Sequence, residues 1–260
     1  MKKQLQLSLI SIAVASLALS SATFAKEKGE GYKGENYKGE AMAPCPQPLT
    51  LNGGFYLGAD VGYDMYQAQH DFGVIDADGA TLTTNPTLSA SGWAGGLFAG
   101  YGMYFNDAWY LGAEVFGAWS GATTNHNTNV TTPAAIGESA SDSATFSSDG
   151  NVGIDIIPGM KLNPATLAYV RLGYNWADLE GQDNVTVDGV ALPGSSNTNW
   201  EGGFHWGVGI ESAFYENWSV RAEYTYTSFG DIDNGTAAYN SEFESPSDNQ
   251  FMVGLLYHFV

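Results

Sequence analysis

Few side chains in this 260-residue chain could do chemistry, and their spacing limits what that chemistry is. From Leu51 onward the basic residues are Lys161, Arg171 and Arg221. Each lies in a stretch where apolar residues take every second position, and each falls on the opposite parity. Asp60, Glu114, Asp155, Glu211 and Glu223 likewise fall opposite the apolar positions of the stretches they lie in. Such alternation puts charges on one face of a β-strand and apolar side chains on the other. Charges enclosed on an inner face must pair. If the chain turns about Glu216, Glu211 lies directly opposite Arg221, and Arg171 starts its strand at the depth of Glu114. The spacing therefore predicts an ion-pair network of Glu114, Arg171, Glu211, Arg221 and Glu223. His70, His126, His205 and His258 divide between two loops and two strands, so no metal site is expected. Cys45 has no second cysteine to pair with inside the chain. It is either a bystander or a partner in an intermolecular bond.

Eight stretches carry the alternation. The first sets Phe55, Leu57, Ala59, Val61, Tyr63 and Met65 against Tyr56, Gly58, Asp60, Gly62 and Asp64. The second sets Trp93, Leu97, Tyr101 and Met103 against Gly96, Gly100 and Gly102. The third pairs Leu111, Val115 and Trp119 with Gly112, Glu114 and Phe116 on the other face. The fourth runs through Val152, Ile154 and Ile156, the fifth through Val170, Leu172 and Tyr174. The sixth holds Phe204, Trp206, Val208 and Ile210, and the seventh Trp218, Val220 and Tyr224. The eighth places Phe251, Val253, Leu255, Tyr257 and Phe259 on one face and ends the sequence. Short turns are expected at Asn106-Asp107, Asn163-Pro164 and Glu216-Asn217, and long loops near 66–90, 120–149, 177–202 and 229–249. Aromatic residues gather next to the short turns and again near the long loops, with aliphatic residues between. A soluble sandwich has no reason to sort them so. Two aromatic belts about an aliphatic band suit a bilayer, and only helices or closed barrels satisfy the backbone there.

The amino-terminal region differs. Residues 1–25 are read as a secretory signal: Lys2 and Lys3 form a charged start, Leu7 to Leu19 an apolar core, and Thr23-Phe24-Ala25 a cleavage site. Residues 26–50 form a low-complexity periplasmic tail, in which Tyr32-Lys33-Gly34-Glu35 recurs as Tyr37-Lys38-Gly39-Glu40 before Pro44, Pro46 and Pro48. The tail is either a solvated linker or a contact to another envelope component. Charged residues make up 14% of the chain, well below the roughly 25% of soluble proteins. The formal net charge is −19 with no basic patch, which excludes a nucleic-acid binder.

Phe55-Tyr56-Leu57-Gly58-Ala59-Asp60-Val61-Gly62, Tyr110-Leu111-Gly112-Ala113-Glu114, Tyr169-Val170-Arg171-Leu172-Gly173-Tyr174 and the ending Tyr257-His258-Phe259 carry a resemblance. Residues 51–260 resemble the eight-stranded outer-membrane β-barrel superfamily: the transmembrane domain of OmpA and the opacity-protein-like and Omp25-like surface antigens. The resemblance implies an all-β fold, an eight-stranded antiparallel up-and-down transmembrane barrel in the cell outer membrane. It implies that Tyr257 and Phe259 belong to the closing strand read by the barrel-insertion machinery. Val260 adds one residue beyond the usual terminal Phe. It also implies a monomer, surrounded by outer-membrane lipids and lipopolysaccharide, without cofactors.

Within that frame the charge network is either a plug or a gate whose pairs exchange to admit small ions, as in a low-conductance porin-like channel. A lipid-modifying enzyme is the third reading. Lipid A deacylases of this architecture carry a His-x-Ser pair, and none of the four histidines here is followed so. His70-Asp71 looks superficially like the Asp/His pairs of outer-membrane proteases, which use longer barrels. No catalytic residue is assigned. The four loop regions carry acidic residues such as Asp142, Glu180, Asp183, Glu242, Glu244 and Asp248 and no Lys or Arg. They read as a hydrated surface or as a recognition surface for host or envelope ligands. A membrane barrel migrates faster on gels when loaded unboiled than boiled. A purified chain that shows no such shift and fractionates as soluble has another fold.

Overall fold

The computed structural model describes residues 49–259, apart from 76–80, 107, 132–138, 188–189, 192–193 and 234–238. The expected signal segment, nearly all of the expected tail, Cys45 and Val260 lie outside the described residues. Eight long strands form the fold. They are β1 (Gly54–Ile75), β2 (Thr87–Phe105), β3 (Trp109–Thr131), β4 (Ser139–Asn163), β5 (Thr166–Val187), β6 (Ser195–Tyr215), β7 (Trp218–Phe229) and β8 (Tyr239–Phe259). Short strands at Thr81–Thr84, Val190–Ala191 and Ile232–Asp233 pair with β1, β5 and β8. Each long strand pairs antiparallel with the next in sequence. β8 then pairs back with β1, from Phe55↔Phe259 through Val61↔Val253 to Val74↔Tyr239. The sheet closes on itself and has no free edge along the membrane-spanning length.

The lower part of every strand follows the alternation in the sequence. Phe55, Leu57, Val61, Trp93, Leu97, Val115, Ile154, Ile156, Val208 and Leu255 are exposed on the outside, where lipid lies. Glycines on the inner face make room for inward aromatic rings of neighbouring strands. A Cβ on Gly100 would strike the Tyr56 ring, one on Gly102 the Tyr110 ring, and one on Gly209 the Tyr169 ring. Aromatic belts close both ends of the apolar band, with Tyr63 against Trp93 (5.9 Å) above and Trp218 against Tyr257 (5.1 Å) below. The short turns fall between β2 and β3, β4 and β5, and β6 and β7, with Asn106 (φ 52°) and Glu216 (φ 24°) in left-handed conformations.

The upper part corrects the expectation of four long loops. β1 alone has 22 residues, about 70 Å of strand at about 3.3 Å per residue. At a tilt of roughly 40° it rises about 55 Å, roughly twice the apolar band of about 25 Å. The segments near 66–90, 120–149, 177–202 and 229–249 are largely strand. Their faces are inverted relative to the membrane part. Above Met65 the outer face of β1 turns polar with Gln67 and Gln69, while Tyr66, Ala68 and Phe72 are buried inside. Tyr66 and Ala68 join Leu88, Ala90, Ala122, Phe146, Leu179, Phe229 and Phe243 in one apolar core. Outside lipid, water solvates the outer face and the hydrophobic effect fills the interior. Three register shifts lie near this changeover: between Gln67 and Gln69, between Trp119 and Ala122, and between Ser148 and Gly150. On β8 the first of these inserts Ser245 and Pro246 opposite Ala68, with Ser245 at φ 45°. Each is a β-bulge, which adds a residue to one strand and re-aims the side chains beyond it.

Gly62 tests the inner-face packing, because a Cβ there would strike the backbone carbonyl of Phe251 and the Met252 sulfur. Gly62→Val should lower stability to urea in micelles by about 1–3 kcal/mol. Gly117→Ala should leave it nearly unchanged, since its nearest neighbour would be Val152 at 3.6 Å.

Candidate functional site

β3, β4, β5 and β7 carry Glu114, Asp155, Arg171 and Glu223 into the lumen, each fully or almost fully buried. Arg171 is the hub. Its Nη2 donates to Glu114 Oε1 (2.7 Å) and to Asp155 Oδ2 (2.7 Å), its Nε to the same Asp155 oxygen (2.9 Å), and its Nη1 to both Glu223 oxygens (2.9 and 2.8 Å). Arg221 donates to Glu114 from Nη1 (2.8 Å) and Nη2 (3.1 Å), and its Nε lies 3.2 Å from Glu223 Oε2. Tyr56 and Tyr169 donate their hydroxyls to Glu114 (2.9 Å) and Glu223 (2.6 Å). The guanidinium planes also lie over aromatic rings, Arg221 over Phe98 at 3.5 Å and Arg171 over Phe116 at 5.2 Å. Two cations thus face three carboxylates, with bidentate contacts that only a planar guanidinium supplies.

Four of the five residues expected in the network lie in it, joined by Asp155. Glu211 does not. The backbone register does place Glu211 opposite Arg221. The Glu211 carboxylate instead accepts from Ser219 (2.6 Å) and contacts His258 Nε2 (2.8 Å), nearer the short-turn end. Arg221 is drawn away by Glu114 and Glu223, which together offer more acceptors than one carboxylate can. Lys161 also leaves the lumen centre: its Nζ donates to the Leu51 carbonyl (2.8 Å) and lies 3.8 Å over the Tyr104 ring. Tyr257 and Phe259 pack edge to face at 5.1 Å on the lipid side of β8.

The space left in the lumen is small. A cavity of about 20 Å³ borders Asp60, Phe116, Arg171, His205 and Glu223. That is room for about one water molecule. Asp60 Oδ1, on the cavity wall, is buried without a hydrogen-bond partner and is the polar group that such a water would serve; Asp155 Oδ1, on the carboxylate that Arg171 binds, has no partner either.

A second cluster lies above the lipid. The sequence puts Asp142, Asp183 and Asp248 in hydrated loops, whereas the structure buries them on inward faces of β4, β5 and β8. His70 of β1 reaches the first two, 3.8 Å from Asp142 and 3.5 Å from Asp183. Burial, and after it the charge of Asp183, pushes the Asp142 carboxyl up to about 7. Burial holds the His70 imidazole below its ordinary value, against the pull of Asp183. The sequence reading finds no such cluster, because His70 comes from a strand that borders neither β4 nor β5.

Residues 11–259 match the family model described as the outer membrane protein beta-barrel domain. The chain belongs to this family. It is an outer-membrane protein, and the apolar band of its lower half is its lipid-facing surface. It is 26% identical over 229 residues to the 31 kDa outer-membrane immunogenic proteins of Brucella melitensis biotype 1 and Brucella suis biovar 1, covering 85% of this chain and 90% of each relative. Among solved structures it is similar to the outer membrane protein OprG from Pseudomonas aeruginosa, at 16% identity and a TM-score of 0.42, covering 82% of this chain and 100% of that one. It is also similar to Ail, the attachment invasion locus protein of Yersinia pestis, at 15% identity and a TM-score of 0.35, covering 80% and 100%.

Removing one member of a buried ion network strands the others. Arg171→Ala leaves Glu114, Asp155 and Glu223 with Arg221 alone among the described cations of the network. It should lower the unfolding free energy by about 3–5 kcal/mol, read as a shift of the urea midpoint by tryptophan fluorescence.

Proposed function

We propose that this barrel is a closed, non-conducting element of the outer membrane, and that its work is done by the raised acidic surface above the lipid. The observation that carries this reading is the double filling of the interior. The Arg171–Arg221 network occupies the membrane level, and an apolar core with Tyr66, Phe146, Leu179 and Phe243 occupies the level above. An eight-stranded barrel is just wide enough for its side chains to fill. Ions would have to cross a charged plug and then a closely filled apolar core.

The outer face of the raised part presents Glu180, Glu201, Asp231, Glu242 and Glu244 and, like the rest of the chain above the lipid, no Lys or Arg. Next to anionic lipopolysaccharide, such a surface attracts divalent cations or basic partner proteins. Surface interaction and support of envelope integrity are therefore its role in this reading. The name of the Brucella relatives, outer-membrane immunogenic protein, fits exposure of this kind. The lumen holds buried acids and histidines but no His-x-Ser pair on the lipid face, so the reading is non-catalytic.

The rival is a narrow channel gated by exchange of ion pairs, favoured by the small cavity and spare carboxylate oxygens beside Arg171. Planar-bilayer recording decides between them. Wild type should give no unitary steps, and Arg171→Ala should give none that persist. Regular steps from wild type, altered in Arg171→Ala, would establish the channel.

A further inference from the structure

Four inward side chains above the lipid come from distant parts of the sequence: His70 on β1, Asp142 on β4, Asp183 on β5 and Ser241 on β8. All are buried; Asp142, the most accessible, is 3% exposed. One ligand atom from each of His70, Asp142 and Asp183 lies within 4.8 Å of the other two. The Ser241 hydroxyl donates to Asp183 Oδ2 at 2.6 Å. Its oxygen, 3.0 Å from His70 Nε2, must then accept from that nitrogen. The proton of the neutral imidazole is thereby assigned to Nε2, and Nδ1 carries a lone pair.

That lone pair has no hydrogen-bond partner, and neither has either oxygen of the Asp142 carboxylate. The two face each other at 3.8 Å. Acceptor against acceptor in a dry interior is unfavourable. A proton on Asp142 cannot bridge the gap, because 3.8 Å exceeds the reach of a hydrogen bond. Among the described residues no Lys or Arg balances this charge: Lys161, Arg171 and Arg221 all belong to the lower half, and no other Lys or Arg follows Leu51. Phe243 stacks on the His70 ring at 4.7 Å and Phe72 flanks it at 6.2 Å, so apolar rings fix the imidazole and screen it from water.

We propose that His70, Asp142 and Asp183 form a structural site for a divalent transition-metal ion, zinc being the type case. Zinc bonds imidazole nitrogen and carboxylate oxygen at about 2.0–2.2 Å. An ion between Nδ1 and Asp142 fits their present separation, and the widest pair in the cluster closes by about an ångström to bind it. Two carboxylates cancel its charge. Ser241 supplies the outer hydrogen bond that orients a metal-bound histidine. The nitrogen ligand sets the site apart from those of calcium and magnesium, which take oxygen. Complete burial of all four side chains leaves a substrate no access to them. β1 borders neither β4 nor β5 in the sheet, so the ion fastens opposite walls of the raised barrel across its interior.

The test uses the full chain folded in detergent, stripped with EDTA and titrated with zinc. Binding is read by isothermal titration, and stability by the temperature at which the compact gel band is lost. Wild type should bind one zinc tightly and gain thermal stability. Asp142→Asn and His70→Gln should bind at least about tenfold more weakly and gain none. Without metal, Asp142→Asn should match or exceed wild type in stability, because it removes an unpaired buried charge. Glu244→Gln, on the outer face, should bind as wild type does. Absence of tight zinc binding by wild type would overturn the proposal, as would wild-type zinc behaviour in Asp142→Asn. Should His70→Gln fail to fold, the nearly isosteric Asp142→Asn still decides. An equal thermal gain from calcium would overturn the choice of metal class.

Discussion

Lipid offers the peptide backbone no hydrogen-bond partner, and the rest of this molecule follows from that constraint. Every amide in the hydrocarbon must find its mate on a neighbouring strand, so the pairing of β1 with β8 is obligatory rather than incidental. Closure with eight strands fixes a narrow interior. A narrow interior cannot be left as a void or filled with free water, and the polar residues excluded from the lipid side must go there. Arg171 and Arg221, each satisfied by several carboxylates, answer both demands at once. The inward glycines answer a third, since the rings of Tyr56, Tyr110 and Tyr169 fit only over strands that carry no side chain at that point.

The same closed wall serves two solvents. Below Met65 the outside is apolar and the inside charged; above it the outside is polar and the inside is mainly apolar, with the His70 cluster enclosed in it. In each half the face against its surroundings matches them, and the inner face takes what remains. The bulges near the changeover, with Ser245 in a left-handed conformation, re-aim side chains where one regime gives way to the other.

This double character explains what was legible in the sequence. The lipid-facing positions, from Phe55 to Phe259, stand out because alternation against an apolar background is a strong signal. The short turns are legible for the same reason. In the upper half that signal reverses, and Thr, Ser and Asn on the outer face read as loops although they alternate with Ala144, Phe146 and Leu179 within. Parity fails as well. Asp155 and Asp142 both point inward on β4 although one is odd and the other even, because a bulge near Asp149 shifts the count. Inner-face position and depth give Glu114 and Glu223 as partners of Arg171, but they omit Asp155 and wrongly include Glu211 in the network. The choice between His258 and Arg221 is made by three-dimensional competition for carboxylates. The association of His70 with Asp142 and Asp183 spans the barrel and leaves no local trace.

The confinement of Lys161, Arg171 and Arg221 to the lower half bears on how this protein is seen in practice. Trypsin finds no site in the part raised above the membrane, so shaving intact cells with it releases no fragment of this surface. Amine-reactive labels meet no lysine there. Complete digestion past Leu51 gives one fragment of ordinary length, Leu162–Arg171, and otherwise long acidic or lipid-facing pieces. A protein abundant at the cell surface would thus be nearly silent in tryptic surveys of it, and proteases that cut after aromatic or acidic residues are the ones that would reveal it.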